Sequence, residues 1–401
     1  MNYQVRWIFI AAFLDLFAVS LILPSLSAHL KTLQASYLMI GMMTSIYAAT
    51  QLLSGPIIGS WSDKIGRQKI FIISYFIVGC CYPIIGILKS LYLILFLRAI
   101  MGIFKHGQVL LRTMITDQTP IKQQPLLFGR LKSVAGISFT IGPAIGGHIA
   151  ELDRGFFYIS CCTGALLVIN SVIGYIYFRD LPRINSIDQS ETKSDSVGII
   201  DAIKNLMNIK WLMFGEIFLL KFMLDMSTGI YHSNYNLKIQ EKFDLSPKLS
   251  GYTIAFQSLV GVLTGIFVED INNKLYKNDE NYCKRNLHGF LFMSIAYLGI
   301  YFASHLSVFL FWTVILKTSH MFLRIILTDM LMRKCPTNHT GSVTGTANSV
   351  SNLARLVTPL LAGLVEDMWE KNSTNFLAAV ISTIGVGISF SIKSTDLRKN
   401  Q

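Results

Sequence analysis

Long apolar stretches alternate along the chain with short polar and charged segments. They fall at 5–28, 38–60, 70–88, 91–115, 131–150, 156–178, 211–232, 250–270, 287–306, 307–331, 343–365 and 374–392, with the ninth and tenth divided at His305. A bilayer-crossing helix takes about 20 mostly apolar residues. The pattern therefore predicts an all-α integral membrane protein with twelve transmembrane helices. The longest stretch that cannot span runs from Arg179 to Lys210 and is rich in Ser, Asp and Lys. It is read as a flexible linker (179–210) between a six-helix half at 1–178 and a second at 211–392, followed by a short tail at 393–401.

Composition agrees. Of 401 residues, 52% are hydrophobic and only 14% are charged, whereas a soluble chain carries about 25% charged residues. With most of the chain spent on spans, no room is left for a large soluble catalytic domain. The distribution of Lys and Arg sets an orientation. With the N-terminus inside, 21 fall on the cytoplasmic side, 7 on the other and 7 within spans. The positive-inside rule then places both termini and the linker in the cytoplasm of a plasma or organelle membrane. Much of the net charge of +12 is explained by that orientation, without nucleic-acid binding. Cys80–Cys81 and Cys161–Cys162 lie inside apolar runs, where they pack as small hydrophobes, while Cys283 and Cys335 are placed in polar loops. The first apolar run contains Asp15 and follows an almost uncharged N-terminus, which reads as a retained span and not a cleavable signal.

The two halves repeat. Asp15, Gly41 and Gly55 have the same spacing as Asp225, Gly251 and Gly265. Leu111-Arg112 through Thr116-Asp117 reads against Leu323-Arg324 through Thr328-Asp329, each with a Lys seven residues before its Arg, Lys105 and Lys317. Gly142-Pro143 with Gly147 matches Thr358-Pro359 with Gly363. Four ordered matches indicate a parallel duplication, as in transporters whose halves rock about a midplane site.

The loop after the second span reads Gly59-Ser-Trp-Ser-Asp63-Lys64-Ile-Gly66-Arg67-Gln-Lys69. It resembles the signature of the same loop in the major facilitator superfamily, where it acts as a charged cytoplasmic latch steadying one access state. Arg98 with Gly102 and Gly107 resembles a second signature of that family. Gly142-Pro143-Ala-Ile-Gly146-Gly147 resembles its fifth-span motif, associated with proton-driven antiporters. The blocks Phe13-Leu-Asp15-Leu-Phe and Gly102-Ile-Phe-Lys105-His106 are similar to those of the animal major-facilitator-domain proteins of the ninth numbered group, relatives of tetracycline exporters. The resemblance implies the major facilitator fold in two six-helix halves, acting as a monomer. The second half departs from it: the latch is largely lost around Glu269 to Lys277, and an apolar residue near Leu310 replaces Arg98. The halves are therefore expected to be functionally unequal.

Ionisable groups at membrane depth usually face a cavity or a partner. Asp15, Lys105, Asp225 and Lys317 sit near the middle of spans 1, 4, 7 and 10, the helices that line the central cavity in the family resembled. Two readings stay open: Asp–Lys pairs that only neutralise each other and hold helices together, or a proton and substrate site. Arg98, Lys105 and Arg112 recur every seven residues, which puts them on one face of a continuous fourth span. For Arg98 the alternative is snorkelling to the interface. Arg112 with Asp117 and Arg324 with Asp329 are expected as structural or gating pairs. Lys221 and Asp225, four apart, suit a local ion pair. His106 and His320 fit either interhelical hydrogen bonding or proton handling. Arg355 with Asn348 and Asn352 fits polar lining or interhelical glue.

Sequons stand at Asn338 and Asn372. Phosphate-binding loops, metal-ligand clusters and nucleophile elbows are absent from the sequence, so no cofactor or metal is expected and the chain is read as a non-enzyme. The expectation is a secondary transporter of a small organic solute by alternating access, with proton-coupled antiport. The alternatives are an organic-anion carrier without protons and a transporter-shaped receptor or scaffold.

Overall fold

The computed structural model describes residues 3–120, 123–178, 211–277, 279, 282–334, 340–369 and 373–399. The linker, Cys335 and both sequon asparagines lie outside the described residues. Fourteen helices account for nearly all of what is described: α1 Tyr3–Thr32, α2 Tyr37–Ile65, α3 Arg67–Ile87, α4 Leu91–Phe104, α5 Gly107–Gln118, α6 Gln124–Ala150, α7 Gly155–Tyr177, α8 Trp211–His232, α9 Tyr235–Phe243, α10 Pro247–Leu275, α11 Cys283–Phe302, α12 Leu306–Lys334, α13 Thr340–Met368 and α14 Ser373–Lys399.

Each expected span falls on one helix or on a consecutive pair. Eight spans are apolar and long enough to be picked out by hydropathy alone; α2, α8, α11 and α13 carry more polar residues. The turn at Ala303–His305 divides the ninth and tenth spans where expected. Large apolar side chains such as Ile57, Phe76, Phe96, Ile266 and Phe311 remain exposed, as a lipid-facing surface requires. No disulfide joins the five described cysteines. Cys283, expected in a polar loop, instead begins α11 and is buried, with its thiol on the Ser389 carbonyl at 3.2 Å.

The chain forms two compact units. Unit 1 comprises 1–35, 46–202 and 244–258; unit 2 comprises 36–45, 203–243 and 259–401. The repeat is visible in their packing: α3 on α7, α1 on α6 and α1 on α7 in unit 1 correspond to α11 on α14, α8 on α13 and α8 on α14 in unit 2. Two polar side chains seated in unit 1 donate to backbone carbonyls of neighbouring helices. The Asn170 amide donates to Ala11 (2.9 Å), and the Ser20 hydroxyl donates to Ser138 (2.9 Å).

The fourth span is broken. α4 ends at Phe104 and α5 starts at Gly107. Lys105 and His106 leave helical geometry, with ψ of 67° and 15°. The continuous face expected for Arg98, Lys105 and Arg112 is therefore interrupted at its centre. The cause is tertiary. The Gln51 amide on α2 takes up the Lys105 carbonyl, and the Tyr75 hydroxyl occupies the space beside Gly107, 1.8 Å from where a Cβ would stand.

Candidate functional site

In unit 1, Asp15 on α1 is 1% exposed and forms an ion pair with Lys105 at the break, while the Gln108 amide donates to its second oxygen at 2.7 Å. The Lys105 ammonium also stands 5.0 Å from the centre of the Tyr75 ring. One carboxylate thus collects an ammonium and an amide, with an aromatic face beside them. Such a pair holds only while both charges are present, because removing one strands the other in low dielectric. His106, the next residue, is buried with Nε2 2.9 Å from the Ser54 hydroxyl.

Unit 2 does not copy this arrangement. Asp225 pairs with Lys221 one turn earlier (3.5 Å), as expected from the spacing, and accepts from the Ser351 hydroxyl at 2.6 Å. Its side chain is 25% exposed against 2% for Asp15. Lys317 donates to His232 Nε2 (2.8 Å) and lies over the Tyr231 ring. The repeat-based picture of two matching Asp–Lys pairs is corrected accordingly. Only the first half brings its carboxylate and its repeat-matched lysine together, because Lys221 and Ser351 reach Asp225 first.

The latch is built on a turn that needs glycine. Gly66, at φ +109°, reverses the chain between α2 and α3. Arg67 then pairs with Asp63 (3.2 Å) and with Asp117 at the far end of α5, the second of two contacts to Asp117 measuring 3.4 Å. A single guanidinium bridges two carboxylates from different helices, a task suited to its planar fork. Lys64 and Lys69 are exposed. Arg112, expected beside Asp117, is exposed and instead lies over the Phe128 ring at 4.9 Å. The helix turns the two side chains apart, and Arg67 already holds the carboxylate. Likewise Arg324 is exposed, and Asp329 is taken by Arg333 (3.2 Å) and the Tyr282 hydroxyl (2.6 Å). Burial and that hydrogen bond push the Tyr282 phenol up to about 12. Arg98 is half-buried, its guanidinium 4.9 Å from the Tyr47 ring.

The fifth-span motif and its repeat are close-approach sites. A Cβ at Gly142 would stand 1.8 Å from the Ser20 hydroxyl, and one at Gly146 2.3 Å from the Leu21 carbonyl oxygen. Within unit 1 the Pro143 carbonyl lies 2.3 Å from where Gly251 would carry a Cβ, and Gly147 meets Pro247. Within unit 2 the Pro359 carbonyl lies 2.1 Å from the same point at Gly41, and Gly363 meets Tyr37. The glycines and prolines matched by the repeat thus meet crosswise.

Several partners escaped the sequence. Gln108, Gln51 and Ser54 organise the break; each is a polar residue one or two helical turns from a flagged position. Lys238 and Glu366 form a buried ion pair (2.9 Å) completed by Thr374 and Asn234. Asp367 caps the first turn of α2 through Tyr37 N (3.0 Å) and Leu38 N (2.8 Å), and Tyr37 donates its hydroxyl to Glu241 (2.6 Å). The adjacent Glu366-Asp367 at the end of an apolar span was the available signal. Among the described residues no group of acidic, His and Cys side chains could hold a metal.

The profile of the Major Facilitator Superfamily matches residues 8–359. The chain belongs to this superfamily. Quinolone resistance protein NorA of Staphylococcus aureus (strain MSSA476) is 23% identical over 400 residues, covering 97% of this chain and 96% of the relative. Multidrug resistance protein 2 of Bacillus subtilis (strain 168) is 23% identical over 386 residues, covering 94% and 92%. Among solved structures, a bacterial homologue of the human lysosomal transporter Spinster superposes with a TM-score of 0.82 at 14% identity, covering 99% and 97%. The human organic anion transporter MFSD10 superposes with a TM-score of 0.65 at 17% identity, covering 97% and 100%. This major facilitator protein is thus a multi-pass membrane transporter and not an enzyme, a secondary transporter of the alternating-access type.

Proposed function

We propose that the protein exports small organic solutes in exchange for protons, with Asp15 as the proton site and Lys105 as its counter-charge. One observation carries this reading: a carboxylate 1% exposed is held by an ammonium and an amide at the break of the fourth span. A proton arriving on Asp15 would release Lys105, and a substrate could compete for the same carboxylate. The bacterial relatives named for quinolone and multidrug resistance support an exporter of amphipathic compounds. The sequence blocks around Asp15 and Lys105 support kinship with the ninth group of animal major-facilitator-domain proteins. Asp225, half-shielded by Lys221 and Ser351, is a second and weaker proton candidate. The charge distribution supports cytoplasmic termini and a cytoplasmic 179–210 linker; an impermeant thiol reagent that labelled, from outside, a cysteine introduced into the linker would reverse that orientation.

The test is uptake of a fluorescent quinolone into sealed proteoliposomes with and without an imposed pH gradient. The wild type should accumulate it only with the gradient. Asp15→Asn should abolish accumulation yet keep exchange of labelled for unlabelled compound. Full gradient-driven accumulation by Asp15→Asn ends the proton assignment. A second reading rests on Lys317, which has no carboxylate partner among the described residues. It suits an anchor for an organic anion, and Lys317→Gln would then raise the apparent KM for anions most.

A further inference from the structure

A cavity of about 200 Å³ lies between α2 and α5 within unit 1, lined by Gly55, Gly59, Asp63, Arg67, His106 and Thr113 among others. It runs from the latch to the imidazole of His106, the residue that follows Lys105 at the break. Two glycines keep it open. A Cβ at Gly59 would meet nothing within 4 Å, and one at Gly55 would only graze His106 Cε1 at 3.6 Å. A void this size with several polar groups on its wall is large enough to admit water.

The internal repeat supplies a control. By the same register, Ser54 and His106 of unit 1 correspond to Thr264 and Thr318 of unit 2, and those two hydroxyls lie 3.3 Å apart. The polar contact between the second and fourth helix of each half has been kept, but only the first half places a titratable group there. The space has diverged with it. Gly265, matching Gly55, has the Met321 methyl 3.2 Å from where its Cβ would stand, whereas Val109, the counterpart of Met321, leaves the cavity open as one of its lining residues. A purely structural hydrogen bond needs neither an imidazole nor an adjoining hydrated void. The imidazole and the adjoining cavity occur together in the half that holds the Asp15–Lys105 pair, whereas the matching contact in the other half is made by two hydroxyls.

From these observations we infer that the cavity is a water-filled access route from the latch to His106, and that His106 exchanges protons between that water and the Asp15–Lys105 pair. In a pH cycle cavity water protonates the imidazole, the proton passes on to the Asp15 carboxylate, and Lys105 is freed from it; the reverse order returns the proton to the cavity. The charged and titratable groups around this path are Asp15 on α1, Tyr75 on α3, Lys105 itself, and Asp63, Arg67 and Asp117 at the latch end. The inference deepens the proton reading of the preceding subsection and rests on it for the final step, not for the route.

Hydrogen–deuterium exchange at the histidine C2 position, read by mass spectrometry on the full chain in lipid nanodiscs, needs no substrate. His106 should exchange with a sigmoidal pH dependence between pH 5 and 9. Gly55→Val, which fills the cavity, should slow it at least tenfold, and Asp15→Asn should move its midpoint. His106→Thr, which copies the second half and so preserves the interhelical contact, should lose at least tenfold in gradient-driven quinolone uptake while keeping exchange transport. A His106 that does not exchange, or whose rate ignores Gly55→Val, overturns the route. A His106 that exchanges but whose midpoint ignores Asp15→Asn, or a His106→Thr variant with full gradient-driven uptake, overturns the proton transfer. If His106 behaves as expected and Asp15→Asn transports normally, the access route stands and the antiport reading falls.

Discussion

Lys105 and Lys317 descend from the same position of a duplicated unit, yet their surroundings have little in common. Lys105 sits at a break between two helices and neutralises a carboxylate that water barely reaches. Lys317 lies in the unbroken α12 against a histidine and a tyrosine ring. The difference teaches that pseudo-symmetry of sequence fixes where a charge lies along a helix but not what it faces. The partner depends on single side chains of neighbouring helices. Lys221 and Ser351 capture Asp225 in unit 2, and their absence from unit 1 leaves Asp15 to Lys105.

The largest effect should come from breaking the buried pair. Asp15→Asn strands the Lys105 ammonium and should cost about 3–5 kcal/mol, read as a large drop in Tm of the protein in detergent. The double change Asp15→Asn with Lys105→Gln should recover most of it. Asp225→Asn, at a partly exposed pair, should cost no more than about 1 kcal/mol. Equal losses in the two halves would erase the distinction drawn between them.

The crossed glycines should come next, and here the halves should behave alike. Gly41→Ala and Gly251→Ala each force a methyl into a proline carbonyl and should cost about 1–3 kcal/mol. Gly59→Ala, facing open space, should leave Tm unchanged. A loss in only one of the two crossed positions would show that the repeat has diverged there as well.

Smaller effects are expected at the latch. Asp117→Asn and Asp63→Asn should each slow cycling several-fold in a quinolone uptake assay while stability stays within about 1 kcal/mol. Asp329→Asn, whose partners are Arg333 and Tyr282, should leave uptake near normal. The smallest is Arg333→Ala, which removes a side chain 70% exposed and should change neither Tm nor uptake. A cycling defect there would reveal a second working latch in unit 2.

Much of this was legible from residue order alone. Apolar length placed the helices, and the polar break at His305 coincides with the turn between the ninth and tenth spans. The duplication found the residues that meet as Gly41–Pro359 and Gly251–Pro143, although nothing in one-dimensional spacing says that they meet crosswise. The i,i+4 pair of Lys221 and Asp225 was legible because it is local. Three features were not. The break at Lys105–His106 was hidden because Arg98, Lys105 and Arg112 keep a helical period; Gln51 and Tyr75, distant in sequence, impose it. Asp117 was assigned to Arg112 by proximity, when the guanidinium that reaches it comes from α3. The Lys238–Glu366 pair was not legible, because one residue lies in an outer connection and the other at a span end, where charges ordinarily meet water. In each case the deciding contact is between helices, which periodicity does not encode.

The carboxylate that caps the first turn of α2 lies 330 residues further along the chain. A ribosome adding about 5–20 residues per second completes Asp367 roughly 15–65 s after Tyr37. For that interval the Tyr37 and Leu38 amides lack their carboxylate cap and Gly41 lacks the Pro359 carbonyl that packs on it. Early lipid-embedded intermediates should therefore expose this end to solvent and to proteases, and nascent chains stalled before 340 should be cut near Ser36 while full-length chains are not. The same schedule argues against expressing the first 178 residues as a self-contained piece: one end of its second helix is finished only by the last third of the protein.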